Sequence, residues 1–171
     1  MLSPEMVDGD RDPLLQGPFQ GQVAFAQTIR NAVSTAAVES WSEMVWSDPN
    51  FEDWPLRERS VIESLQGWAG KGRKLVLLAH NFDSVVRLHP RFVSWRVQWD
   101  HIIDCRTCRN RDATEVPSAL WGPSWVMRRL VLSSSNGYAG FESSRRLSVR
   151  EDLDECLRQS SPGFPASTLG L

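Results

Sequence analysis

Three cysteines among 171 residues is a small and odd number. A domain of that length needs no covalent staples, so the expectation is a reduced, cytoplasmic chain without a disulfide framework. Long hydrophobic runs are missing too. No stretch approaches the roughly 20 apolar residues that a membrane-crossing helix requires. The first twenty residues carry Asp8, Asp10 and Asp12 and no apolar or basic cluster, so they do not read as a signal peptide. Charge of one sign is not in excess: 19 Lys and Arg stand against 21 Asp and Glu, for a formal net charge of -2. The cations are scattered rather than striped, so a basic face is not visible and a nucleic-acid partner is not expected. The pairs Arg128-Arg129 and Arg145-Arg146 read as solvated surface. Phosphate-cradling and nucleophile motifs are also missing. Gly70-Lys71-Gly72 lacks the frame of a P-loop, and nothing around Gly163 and Ser167 makes a G-x-S-x-G elbow. No cofactor is expected.

What is present is ordinary globular composition, 41% hydrophobic and 23% charged, enough for one domain with a sizeable core. Residues 1 to 19 carry Pro4, Gly9, Pro13, Gly17 and Pro18 without periodicity and read as a flexible lead-in. A single domain is expected over 20 to 160, followed by an extended tail from 161 to 171. Val23, Phe25, Ala26, Ile29, Ala32, Val33 and Ala36 give an amphipathic helix. Trp41, Met44, Val45 and Trp46 give a strand that stops at Asp48-Pro49-Asn50. Pro55 opens a second helix with the stripe Leu56, Val61, Ile62, Leu65 and Trp68, closed near Gly70 and Gly72. Leu75 to Ala79 is a short apolar run that fits a strand buried on both faces. Strand, helix, strand at this spacing implies a right-handed parallel crossover. Phe82 to Leu88 reads as helix, interrupted or restarted at Pro90; Phe92 to Arg96 reads as a further turn, and Val97 to Cys105 as a third strand. Arg106 to Pro117 reads as an exposed loop, 119 to 132 as strand broken at Gly122-Pro123, and 133 to 140 as a turn. Ser148 with Glu151 suggests a capping box for a last helix carrying Val149, Leu153, Cys156 and Leu157. The fold class expected is α/β, with a mixed, largely parallel sheet flanked by helices.

Three histidines are the candidates for acid–base work. His80 follows the run 75–79, at the carboxyl end of a parallel strand, where open α/β sheets hold ligands. His89 stands in a turn before Pro90 and reads as structural or exposed. His101 lies on the third strand, where neighbouring Asp100 and Asp104 would face away from it. His101, Cys105 and Cys108 form H-x3-C-x2-C, three of the four ligands of a structural zinc site. Cys156 is the remaining candidate, but it falls on the apolar stripe of the last helix, so no metal site is expected. Eight tryptophans, including the spaced pairs Trp95 and Trp99, and Trp121 and Trp125, read as core filling.

The succession of elements over 21 to 160 resembles one half of the phospholipase D-like fold, and the closing segment Glu151 to Ser160 resembles the helix that ends such modules. That family works through H-x-K-x4-D, with histidine as nucleophile on a phosphodiester. His101 takes the histidine place, but position 103 is Ile where lysine is required and position 108 is Cys where aspartate is required. Ser134 and Asn136 resemble the family's G-S-x-N turn, with Ser133 in place of its glycine. The resemblance implies a non-catalytic domain with a binding or assembly role, Ser134 and Asn136 as ligand-binding candidates beside the strand-end His80, and a homodimer by analogy. The alternatives are a phosphodiesterase or nuclease using His101, with Arg96 or Arg106 supplying the missing cation, and a small zinc-binding regulator on His101, Cys105 and Cys108.

Overall fold

The structure is a computed structural model and describes residues 14–165; the parts of the expected lead-in and tail beyond those limits lie outside the described residues. In chain order the elements are β1 (Gly17–Phe19), α1 (Gln22–Glu39), β2 (Glu43–Ser47), α2 (Arg59–Trp68), β3 (Lys74–Ala79), α3 (Asp83–Leu88), α4 (Pro90–Gln98), β4 (Ile103–Thr107), β5 (Ser118–Trp121), β6 (Val126–Val131), β7 (Asn136–Gly140), α5 (Ser143–Arg158) and β8 (Ser161–Pro162). The eight strands form one sheet in the order β1-β7-β6-β5-β2-β3-β4-β8. It is an α/β fold with a mixed sheet, as expected. The expected parallel majority is not found. Only β2–β3 and β3–β4 are parallel, and every other pairing is antiparallel. The parallel strands are those joined through helices, and the antiparallel ones come from the hairpins of 118 to 140 and the two edge strands.

Alternation along the central strands assigns the two faces. Met44, Trp46, Leu75 and Leu77 join the large core beneath α1, α2 and α4, whereas Val45 and Val76 pack with Val149 and Leu153 of α5. β2 and β3 are therefore buried on both sides, which is why they read as continuous apolar runs. In α1 the buried row is Phe25, Ile29, Ala32, Val33 and Ala36, the i, i+4, i+7, i+8 pattern of a helix lying on a sheet. Each such large side chain contributes about 1.5–3 kcal/mol on burial. Val23, read on the same stripe, is instead exposed.

Five segments differ from the sequence reading. Gly17–Phe19, placed in the lead-in, pairs with β7 as an edge strand, and Ser161–Pro162, placed in the tail, pairs with β4. The turn expected over 133 to 140 contains β7. The strand expected from Val97 to Cys105 is the last turn of α4, a 3-10 turn at Asp100–Ile102, and the start of β4. The last helix begins at Ser143, so Ser148 is interior and makes no capping box; one forms instead between Asp112 and Glu115 in the loop after β4. Six of the tryptophans are buried, as the core-filling reading requires, while Trp99 and Trp121 are half-buried.

Candidate functional site

The predicted site residues do not converge. β3 and β4 are parallel, with Leu75 beside Ile103 and Ala79 beside Thr107. His80 follows β3 and His101 precedes β4, so they stand at opposite ends of the sheet, beyond the two ends of the five paired residues. His101 is exposed, with its ring 5.6 Å from that of Trp99. Ser134 is exposed on the β6–β7 turn, at the His80 end, and Asn136 accepts a hydrogen bond from the Gly21 N–H at 3.3 Å. His80 is half-buried, and its backbone N–H donates to Pro49 O at 2.9 Å. Arg96 and Arg106, the candidate substitutes for the missing lysine, are engaged: Arg96 with Asp100 and Phe164 O, Arg106 with Ser160. Cys105 packs into the large core while Cys108 joins Leu78, Val116 and Cys156 on the other face. Burial pushes the Cys105 thiol up to about 11, so it is a small hydrophobe rather than a thiolate ligand. Among the described residues no group of three or more metal-binding side chains comes together.

The carboxyl end of β2 instead holds a buried polar cluster that sequence reasoning missed. Asp48 Oδ2 accepts from the backbone N–H of Asn50 and Phe51 at 3.2 and 2.8 Å, and Oδ1 accepts from Ser118 Oγ at 2.6 Å and Arg129 Nη2 at 2.8 Å. Arg129 also donates to Ser118 Oγ, Ser135 Oγ and Asp53, and its guanidinium lies 4.1 Å over the Phe25 ring. The side chains of Arg129 and Asp48 are 2% and 1% exposed, so the Arg128-Arg129 pair is not simply solvated surface. Every oxygen and nearly every N–H of the pair is used within the protein. That saturation makes the pair a clamp tying β2, β5, β6 and the loop after β2, rather than a reacting centre. Nothing in the sequence joins residues 81 positions apart.

Beside this clamp, α2 and α4 begin next to each other. Both lead into parallel strands, so their amino ends lie toward the carboxyl ends of those strands, where open α/β sheets bind ligands. Neither start has a side-chain cap, and α4 opens with Pro90. The first N–H groups of a helix carry partial positive charge and lack intrahelical acceptors. Arg57, Arg59 and Arg91 surround these starts, with Arg91 Nη1 donating to Arg57 O at 2.9 Å and Arg59 and Arg91 lining the head of one groove. All three are exposed, and none makes an ion pair among the described residues. The neighbouring acid, Glu58, is held by Arg30 at 2.7 Å, which lowers its pKa. His89, between α3 and α4, is buried and donates from Nε2 to Phe51 O at 2.8 Å; burial, helped by the charge of Arg57, pushes its pKa down. The arrangement is chemically suited to an oxyanion, and above all to phosphate.

No protein-family model and no curated protein matches the sequence. Among solved structures the chain is similar to TrmBL2, an archaeal chromatin protein described as having a novel mode of DNA binding, with a TM-score of 0.64 at 12% identity. The match covers 92% of this chain and 58% of that one, so the chain spans little more than half the neighbour's length. At that identity the likeness concerns the fold. Because that neighbour binds DNA, the finding corrects two expectations: that nucleic acid is an unlikely partner, and that the domain has a phospholipase D-like binding or assembly role, with phosphodiesterase and zinc-regulator alternatives. Net charge, on which the first expectation rested, averages over cations neutralised in ion pairs and cations outside them. Among the described residues no helix is long and apolar enough to cross a membrane.

Proposed function

We propose that this domain is a DNA-associated module that contacts duplex phosphates through Arg57, Arg59 and Arg91 at the amino ends of α2 and α4. The observation that carries the reading is the meeting of two uncapped helix starts with three exposed arginines that make no ion pair among the described residues. Helix N–H groups and arginine forks recur as phosphate contacts on DNA, where they position a protein without reading sequence. The likeness to a DNA-binding chromatin protein supports the same reading. Seven other arginines are held by carboxylates: Arg30, Arg96, Arg128, Arg129, Arg145, Arg150 and Arg158 all sit in ion pairs. Binding through so few cations is expected to be weak and non-specific, with a Kd of roughly 10⁻⁴ to 10⁻⁶ M.

Fluorescence anisotropy of a short labelled duplex at low salt tests this. Wild type is expected to bind, and Arg57→Glu, Arg59→Glu, Arg91→Glu combined is expected to abolish binding with an unchanged circular dichroism spectrum. An unbound duplex, or equal binding by the triple variant, would overturn the reading.

A further inference from the structure

After α5 the chain turns back and closes one edge of the sheet with a strand of two residues. β8 sets Pro162 beside Arg106 and Ser161 beside Thr107, and both of its residues are exposed. Pro162 has no N–H to give to the ladder. The Gly163 N–H donates to Cys105 O at 3.0 Å, and a Cβ on Gly163 would lie 2.4 Å from Thr107 Cγ2. Phe164 follows with a φ of 44°, the left-handed region that a bulky residue adopts only under strain. Its ring is stacked on Phe82 at 5.3 Å, with the Arg96 guanidinium 5.3 Å from its centroid. Its carbonyl accepts from Arg96 Nη2 at 2.9 Å. Arg96 is itself 4% exposed, and among the described residues its Nε has no hydrogen-bond partner. The same guanidinium stands beside the buried Cys105 thiol.

We infer that residues 161–165 form a strap that opens apart from the rest of the fold, and that Cys105 is a modification site hidden while the strap is closed. Opening breaks few contacts: the two-residue pairing, the Thr107 hydroxyl bond to Ser161 O, the Gly163 bond to Cys105 O, and the seat of Phe164. It releases the backbone strain at Phe164 and leaves the pairings of β2, β3 and β4 as they are. Segments with few buried contacts and exposed backbone bonds open far more readily than a whole domain unfolds. The other two cysteines have no such cover to lose. Cys108 and Cys156 are 0% and 1% exposed and pack with Leu78 and Val116 on the opposite face of the sheet. Burial pushes the closed Cys105 thiol up, away from ionising, while the Arg96 guanidinium pulls the other way more strongly than Asp104 and Asp100 oppose it. Water admitted by opening relieves the first influence and leaves the cation in place. The thiolate so favoured is the nucleophilic form, and the ligand class it takes is a small uncharged compound with an electrophilic carbon.

The test is timed alkylation of the full chain with iodoacetamide, read by mass mapping of the three cysteine peptides. In that reaction Cys105 Sγ gives its proton to water and bonds the reagent's methylene carbon as iodide leaves. Cys105 is expected to label at least about tenfold faster than Cys108 and Cys156, which wait for a larger opening. Phe164→Ala removes the ring that seats the strap, and Gly163→Ala brings a methyl against Thr107. Each is expected to speed Cys105 by another factor of about ten or more and to leave the other two cysteines unchanged. Circular dichroism of both variants is expected to match wild type. Three cysteines labelled at one rate, or Cys105 labelled last, would mean that no separate opening exists. A Cys105 rate that either variant leaves unmoved, or a variant that quickens all three alike, would equally overturn the inference. Loss of the folded spectrum in either variant would make the segment part of the core rather than a strap.

Discussion

Arg129 and Asp48 show how much one pair can be asked to hold. The two side chains are almost wholly buried, and the carboxylate collects four donors while the guanidinium reaches Asp48, Asp53, Ser118 and Ser135. Removing one partner leaves the other charged in a buried site, at a cost of about 3–5 kcal/mol. Arg129→Ala is therefore expected to lower the unfolding free energy in urea by that amount, and Ser118→Ala by about 1–3 kcal/mol, the cost of leaving neutral-partner bonds unmade. An Arg129→Ala protein within about 1 kcal/mol of wild type would show the pair to be replaceable. His89 makes a second residue-level prediction. Burial holds its folded pKa below the usual 6.5, so between those two values the unfolded chain binds the extra proton. Stability is then unaffected by this group above about pH 7, falls as pH drops through 6.5, and levels off below the folded pKa. Glu58, whose pKa is also lowered, contributes its loss only as pH falls through the usual carboxylate range towards its folded pKa. Denaturation midpoints between pH 7 and 5.5 should therefore lose most of their slope in His89→Gln, which keeps an N–H for Phe51 O but does not titrate. An unchanged slope would place the titrating group elsewhere.

At the level of elements, the hairpin of β6 and β7 depends on Gly137. A Cβ there would meet the Arg128 carbonyl oxygen, Phe19 Cζ at 2.7 Å and Arg129 Cα at 2.8 Å. Two of those obstacles are backbone, so they cannot swing aside, and overpacking of this kind costs about 1–3 kcal/mol. Gly137→Ala is expected to lower Tm and to loosen β1, seen as faster amide exchange at Pro18's neighbours Gly17 and Phe19; an unshifted Tm would mean that the strands slide apart freely. The same glycine explains a failure of sequence reading. Asn136-Gly137-Tyr138-Ala139-Gly140 has turn composition, yet it is a strand because small residues let β1 and β6 close on it. The elements that were legible carry their reason locally: the apolar row of α1, the stripe Val61, Leu65 and Trp68 of α2 (which starts at Arg59 rather than at Pro55), the doubly buried run 75–79, and Pro90 restarting a helix. Those that were not take their reason from a partner strand or helix. Val97 to Cys105 looks strand-like by composition, but α4 continues to Gln98 because Trp95 and Phe92 fill the core beneath it. His80 was correctly placed at the carboxyl end of β3. The Asp48–Arg129 clamp and the arginines at the heads of α2 and α4 were invisible because they are joined only by folding.

For the molecule as a whole, the informative quantity is how its charge is partitioned rather than its sum of -2. Cations paired with carboxylates gain nothing by approaching a phosphate, since they must first give up a partner. Among the described residues Arg57, Arg59 and Arg91 have no such partner to lose. Each phosphate they neutralise releases condensed counterions, adding about 0.9 to the slope of log affinity against log salt. Three arginines therefore set a limit: the slope for duplex binding should not exceed about 3 in magnitude. Reversing one of them should flatten it by about 1, whereas Arg145→Glu with Arg146→Glu, at the start of α5 and in the ion pair with Glu142 or bonded to Phe141 O, should leave it unchanged. Anisotropy titrations across a salt series supply the slopes. A slope well above 3 would mean that further cations join the interface, and a slope lowered by the α5 variant would move the interface to the opposite face of the sheet.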